Sequence, residues 1–238
     1  LTVEARGGGP GLVEAETNIA RNLGVDIRYG ARAIRLTRQH GRVTGVEVKQ
    51  AGATYQINAR AVVLAAGGGS RWSGPGHKLL ADLDGRPLAA HAIAAAAAAG
   101  LDELVVVTGS VDISAIIPGG ATVLHNGSWS EGQAGSIRLA VEHAERAGHG
   151  AIVLGLADTP GIPAEAWRAV AEAEGSLVVA VFDGLRRPPT KVGRRFWNEL
   201  PVSGDSGARS LLAERASDVV EVACRGNPAD IDTVEDLQ

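Results

Sequence analysis

A glycine-rich loop after a buried strand, two cations beside it and a carboxylate ending a second strand form a set of residues suited to a polyphosphate. Val62-Val63-Leu64-Ala65-Ala66-Gly67-Gly68-Gly69-Ser70-Arg71 reads as an apolar strand running into glycines. Lacking a Cβ, such a loop lets backbone N–H groups converge on phosphate oxygens. Arg71 and Lys78 place two positive charges beside it, which a triphosphate needs and an ordinary turn does not. For the glycines alone, a turn with two solvated cations is the plainer explanation; the cations and the downstream residues favour chemistry. Asp158 directly follows the apolar run Ile152 to Leu156, so its carboxylate sits at a strand's C-terminal end, where α/β sheets bind ligands. The chain offers no Ser–His pair, so catalysis here rests on positioning and charge neutralisation.

The elements that must hold these residues alternate between strand and helix. Ala61 to Ala65, Leu104 to Thr108, Ala121 to His125, Ala151 to Leu156, Leu177 to Phe182 and Val219 to Ala223 read as strands. Leu88 to Ala99, Gly135 to Ala147 and Pro163 to Glu174 read as helices, the first ended by Gly100. Its polyalanine needs no function, because alanine is the best helix former. The order predicts an α/β, three-layer, Rossmann-like domain with a mainly parallel sheet over residues 61–238. Residues 1–60 read differently: a Gly-rich lead-in, helical spacing from Leu12 to Leu23, then strand-like Val25 to Tyr29 and Val43 to Val48 around a Gly41-Arg42 turn. They predict a small α+β appendage.

Charge divides the chain near the same place. Residues 1–66 hold nine Lys/Arg against five Asp/Glu, a net +4, and the remainder fourteen against twenty-two, a net −8. An acidic main domain is a poor nucleic-acid binder. With 238 residues and 45% hydrophobic content, the chain can bury a full core. No apolar run reaches membrane-spanning length. One cysteine, Cys224, excludes an internal disulfide framework and a cysteine-based zinc site, which suits a reducing, cytoplasmic location. The six histidines show no metal-ligand spacing. The chain opens on Leu1 without an initiator methionine, as expected of a fragment or an unusual translation start.

Four blocks, in order, resemble the molybdenum cofactor nucleotidyltransferases, the MobA-like NTP transferases of GT-A-like fold. They are Leu64-Ala65-Ala66-Gly67 with Arg71, Lys78, Leu80 and Gly85-Arg86-Pro87-Leu88; His125-Asn126-Gly127-Ser128-Trp129-Ser130-Glu131-Gly132-Gln133-Ala134-Gly135-Ser136-Ile137; Leu156-Ala157-Asp158-Thr159-Pro160; and Asp230-Ile231-Asp232-Thr233-Val234-Glu235-Asp236-Leu237. The resemblance implies transfer of CMP from CTP to the phosphate of molybdopterin, with release of pyrophosphate. Arg71 and Lys78 then hold the β- and γ-phosphates, and Arg71, Lys78 and Asp158 are the catalytic residues. The nucleotide is bound by Leu64, Ala65, Ala66, Gly67, Gly68, Gly69, Ser70, Arg71 and Lys78, with Asn126, Gly132 and Ser136 near base and ribose. Asp158 and Asp232 are the implied Mg²⁺ ligands; a helix-capping or surface role is open for Asp230 and Asp236 and less expected for Asp158. Leu-Ala-Ala-Gly rather than Leu-Ala-Gly-Gly implies CTP over GTP. A molybdoenzyme or its chaperone is the implied recipient of the product. The chain departs at Arg187-Pro188-Pro189, where the family commonly has His-Pro or Asn-Pro beside the acceptor.

The opening segment resembles an internal piece of the FAD-dependent fumarate reductase and tricarballylate dehydrogenase group. The matching residues are Ala5-Arg6-Gly7-Gly8-Gly9-Pro10-Gly11-Leu12, Gly41-Arg42-Val43-Thr44-Gly45-Val46 and Ala59-Arg60-Ala61-Val62-Val63-Leu64-Ala65-Ala66-Gly67-Gly68. The dinucleotide-binding G-x-G-x-x-G is missing, so residues 1–60 read as an inactive flavoprotein-like fragment. Competing functions are another cytidylyl, guanylyl or sugar-nucleotide transferase, an FAD-dependent oxidoreductase fragment, or an idle binding module. A bound-flavin spectrum and magnesium-dependent pyrophosphate release separate them.

Overall fold

The computed structural model describes residues 17–19, 21, 31–39, 42–50, 53–58, 61–65 and 72–237. The loop residues Ala66 to Arg71 and the expected strand Val25 to Tyr29 lie outside them. The chain divides into two compact units, Leu1–Ile57 and Asn58–Gln238. In the first, β1 (Arg32–Gln39), β2 (Arg42–Gln50) and β3 (Ala53–Asn58) form a three-stranded sheet in that order, β1 and β2 antiparallel. Of the helix expected from Leu12 to Leu23, residues 17–19 and 21 are helical.

The second unit is built on a seven-stranded sheet. Its strands are β4 (Ala61–Ala65), β7 (Glu103–Thr108), β8 (Thr122–His125), β9 (Ala151–Leu156), β10 (Leu177–Phe182), β11 (Leu185–Gly193) and β12 (Val219–Ala223), in the order β12-β10-β11-β9-β4-β7-β8. The short β5 (Asp82–Leu83) and β6 (Arg86–Pro87) form a separate hairpin. Its turn residues Asp84 and Gly85 both have positive φ, 52° and 77°, as a two-residue hairpin turn that follows strand twist requires. This hairpin delivers the chain into α1 (Leu88–Ala98).

All neighbouring pairs in the large sheet are parallel except those of β11, which runs antiparallel to β10 and β9. β11 was not expected as a strand, because Pro188 and Pro189 cannot donate to a ladder. The sheet absorbs them in a register shift: Val179 pairs with Thr190 and Ala180 with Arg187, leaving the two prolines between.

Side chains alternate between the faces with the period of two that strands impose. Val106, Val153, Val178 and Ala180 face one core with Ala89, Ile93 and Ala96 of α1 and Trp167 and Val170 of α3 (Ala164–Glu172). Val105, Val107, Ile152, Leu154, Leu177 and Val179 face the other, with Ile137, Ala140 and Ala144 of α2 (Gln133–Ala147) and Leu211 and Leu212 of α4 (Arg209–Glu214). The result is a three-layer α/β/α sandwich. Gly155 of β9 is glycine for a packing reason: a Cβ there would overlap the indole of Trp167, which lies fully buried against it.

At the N-terminal end of β7, Glu103 gathers three donors. Thr122 Oγ1 donates to Oε1 at 2.6 Å, His143 Nε2 to Oε1 at 2.8 Å and His149 Nε2 to Oε2 at 2.6 Å. These bonds join β7, β8, α2 and the turn after α2. Burial alone would raise the Glu103 pKa, but the bonds from Thr122, His149 and His143 outweigh it and hold the group below its ordinary 4.5. A depressed carboxylate pKa adds stability that is present above the ordinary value and lost as pH falls through the lowered one. Glu103→Ala is therefore expected to cost about 2 kcal/mol at pH 7, since it strands three donors. The gap from wild type in thermal midpoint should narrow below pH 4.5; a gap that does not change with pH would contradict this role.

Candidate active site

Parallel pairing sends the C-terminal ends of β4, β7, β8 and β9 to one edge of the sheet. Ala65 registers with Leu156 on one side and Val107 on the other, and Thr108 registers with His125. Leu64 and Ala65 are thus strand residues at the sheet's centre, and the loops that follow β8 and β9 emerge at the same edge. Ala66, Gly67, Gly68, Gly69, Ser70 and Arg71 fall outside the described residues.

Lys78 lies at the centre of this edge. It opens a short 3₁₀ turn, Lys78–Leu80, entered through His77, whose Nδ1 accepts from the Leu79 N–H. Its Nζ donates to Asp158 Oδ2 at 2.7 Å and to Asp232 Oδ1 at 2.8 Å. Lys78 is only 4% exposed. Burial would lower its pKa, yet the two carboxylates prevail and raise it above 10.5, so it is an ammonium throughout the neutral range.

Three contacts bring residues so distant in sequence together. Ile231 N donates to the Asp158 carbonyl at 3.0 Å, laying the C-terminal segment against the end of β9. Asp236 Oδ2 accepts from Asp232 N at 3.0 Å, Thr233 N at 2.8 Å and Thr233 Oγ1 at 3.0 Å, folding that segment into a turn that presents Asp232. The N–H groups of Thr233 and Asp232, with the Thr233 hydroxyl, hold the Asp236 carboxyl below its ordinary pKa. Gly74 supplies the third contact, because a Cβ there would meet the Trp72 indole and, at 2.9 Å, Val234. The arm carrying Lys78 therefore packs on the turn carrying Asp232.

One acceptor in this cluster is left over. Asp158 Oδ1 is buried and has no hydrogen-bond partner among the described residues. Leaving a carboxylate oxygen so placed is costly unless a cation or donor meets it. No group of three or more His, Cys, Asp or Glu is placed to hold a metal among the described residues.

Asn126, Gly132 and Ser136 lie between β8 and the first turn of α2, at the same sheet edge. Asn126 and Ser136 are both buried, and Asn126 Nδ2 donates to Ser136 Oγ at 3.0 Å while its Oδ1 accepts from Ser128 N at 3.0 Å. Gly132 has φ 110°, and a Cβ on it would meet the Gly204 backbone at 2.7 Å. These residues therefore shape the loop, and any contact to a ligand is additional to that work.

A cavity of about 540 Å³ opens next to Asp158, bounded by its neighbours Leu156 and Thr159 and by Asp230. Ile137, Leu154, Val179 and Leu212 give it an apolar floor, and Arg186, Arg187 and Arg209 a cationic side. Arg186 is held by Glu221 at 2.6 Å. Arg187 and Arg209 have no carboxylate partner among the described residues. No motif or spacing pointed to Arg209, which comes from α4, far from Arg187 in the chain.

Known proteins share this architecture. The structure of Rv0371c from Mycobacterium tuberculosis H37Rv is similar at 27% identity, TM-score 0.66, over 75% of this chain and 94% of that one. The same protein in complex with manganese aligns at 23% identity, TM-score 0.65, over 75% and 96%. A nucleotidyl transferase from Methanothermobacter thermautotroptrophicus aligns at 24% identity, TM-score 0.64, over 75% and 94%. No curated protein sequence matches the chain. Among the described residues no helix is long and apolar enough to cross a membrane. Residues 2–115 match the FAD binding domain model, overlapping the start of the transferase region. Residues 61–219 match the MobA-like NTP transferase domain model, so the chain belongs to that family and is a nucleotidyltransferase.

Proposed function

We propose that the enzyme transfers CMP from CTP to the phosphate of a molybdopterin-type acceptor and releases pyrophosphate. The observation that carries this reading is the convergence of Lys78 with Asp158 and Asp232 at the C-terminal edge of a parallel sheet. An acceptor phosphate oxygen attacks the α-phosphorus in line, the bond to the bridging oxygen breaks, and pyrophosphate leaves with the electron pair. Such a nucleophile is already anionic, so no general base is needed. The preference for CTP rests on the Leu64-Ala65-Ala66-Gly67 resemblance alone.

A divalent ion, Mg²⁺ by expectation, fits the donors present. Asp158 and Asp232 supply hard oxygens, and Asp158 Oδ1, buried without a hydrogen-bond partner among the described residues, would be one of the ion's ligands. The manganese complex of the related Rv0371C supports a divalent metal in this setting. When bound, the ion would neutralise triphosphate charge. Lys78 and Arg71 would steady the β- and γ-phosphates, with Asn126, Gly132 and Ser136 shaping the loop near base and ribose.

The cavity beside Asp158 suits the acceptor, its floor taking an apolar body and Arg187 and Arg209 taking anionic groups. Arg209→Glu is expected to raise the KM for the acceptor about tenfold or more and to leave the KM for CTP within about twofold, since a reversed charge opposes an anion directly. Equal changes in both would remove the cavity from acceptor binding. The activity itself is tested by supplying CTP, GTP, ATP and UTP with and without molybdopterin and measuring pyrophosphate. Release with GTP alone would move the enzyme to guanylyl transfer.

Residues 61–238 are read as the whole catalytic domain and 1–60 as a flavoprotein-like fragment. A chain starting at Ala59 should keep most of its transfer rate, because β4 and every site residue remain. Loss of folding or activity on that truncation would make the first unit integral to the enzyme. The FAD-domain match favours one second reading, flavin binding by the N-terminal segment. A flavin absorbance band in the purified protein would support it.

A further inference from the structure

We propose that Lys78 is a latch over the metal position, so that divalent ion and nucleotide load together rather than the ion alone. This rests on the reading of Asp158 and Asp232 as the metal-binding pair. The Lys78 ammonium stands 2.7 Å from Asp158 Oδ2 and 2.8 Å from Asp232 Oδ1, hydrogen-bonded to both carboxylates at once. An ion of Mg²⁺ type sits at about 2.1 Å from its oxygen ligands. Asp158 Oδ1 is not the oxygen that Lys78 holds, yet an ion bound by these two carboxylates lies so near the ammonium that the like charges repel, and each weakens the other's hold.

The latch is set by burial. Lys78 has left water and is compensated by the two carboxylates. An incoming ion repels it, and an ammonium driven from the carboxylates needs another anion. The triphosphate is that anion, and Lys78 reaches it by rotating a flexible four-carbon side chain. Linkage makes the effect reciprocal: whatever draws Lys78 away raises metal affinity, and metal in turn raises affinity for the nucleotide. A cation without nucleotide binds poorly, which keeps the site closed to stray ions.

The test measures Mn²⁺ binding without nucleotide, by electron paramagnetic resonance and calorimetry, on the full chain. Lys78→Gln and Lys78→Met should bind Mn²⁺ at least about tenfold tighter than wild type, since each removes a positive charge from beside the ion's position. Adding Asp158→Asn to Lys78→Gln should cancel the gain. Equal or weaker binding by both neutral variants overturns the latch. If those variants are too unstable to titrate, the wild-type protein decides. The chain has three lysines, Lys49, Lys78 and Lys191, which mass spectrometry resolves after amine acetylation. Mn²⁺ at a concentration that saturates the wild-type site should speed acetylation of Lys78 several-fold relative to Lys49, and CTP should slow it again; no acceleration at saturation overturns the proposal. The two levels fail differently. If Asp158→Asn abolishes Mn²⁺ binding but the Lys78 variants gain nothing, only the latch is wrong. If Asp158→Asn leaves Mn²⁺ binding unchanged, or no form binds it, the metal assignment falls and the latch with it.

Discussion

Asp158→Asn is expected to lower turnover by about three orders of magnitude, roughly 4 kcal/mol of lost transition-state stabilisation, while leaving the fold intact. The backbone carbonyl that receives the Ile231 N–H at 3.0 Å does not depend on the side chain, so the C-terminal segment stays docked on β9. The amide also still offers an oxygen to Lys78. What disappears is the negative charge, at the position whose second oxygen is buried and unpartnered among the described residues. On the proposed assignment, a metal left with one carboxylate instead of two would be weakly bound and poorly placed. The measurement is pyrophosphate release at saturating CTP and acceptor, beside a thermal melt. A folded variant with near-wild-type turnover would remove Asp158 from the mechanism.

Lys78→Ala should be nearly as damaging, with a fall in kcat/KM for CTP of about a hundredfold or more. The lost group is a buried ammonium, and inside a protein a charge contact is worth more than at the surface. The effect should appear mainly in CTP binding, because the β- and γ-phosphates are charged before as well as during the reaction. The acceptor KM should change little, since Lys78 does not line the cavity read as the acceptor site. A loss confined to the acceptor would mean that Lys78 faces the other substrate. The same substitution should damage nucleotide binding while sharpening metal binding, a divergence that simple unfolding cannot produce.

Much of the scaffold was legible in the sequence, for a physical reason. β4, β9 and β10 lie inside a sheet covered on both faces, so they read as unbroken apolar runs. The helices announced themselves by composition and by terminating glycines such as Gly100, whose φ is 67°. β11 was not legible. Its arginines and prolines argue against a strand, and only a register shift in the paired strand makes room for them. The role of Asp236 was legible in part: a capping or surface carboxylate was one open reading, and the three bonds it accepts show what it structures.

Residue types and short spacings determined the chemistry within reach: an anionic substrate, cations to meet it and carboxylates at strand ends. Those properties are local, set by a side chain and its few neighbours, and survive in a linear string. Which groups meet is not local. Lys78 and Asp232 are separated by 154 positions, and Glu103 and His149 by 46. Strand order, the direction of each crossover and the packing of Gly74 beneath Trp72 and Val234 decide those meetings. Only the folded chain could place the ammonium between the two carboxylates and open a cavity with Arg187 and Arg209 beside Asp158, because each depends on contacts between segments whose separation in sequence carries no information about their distance in space.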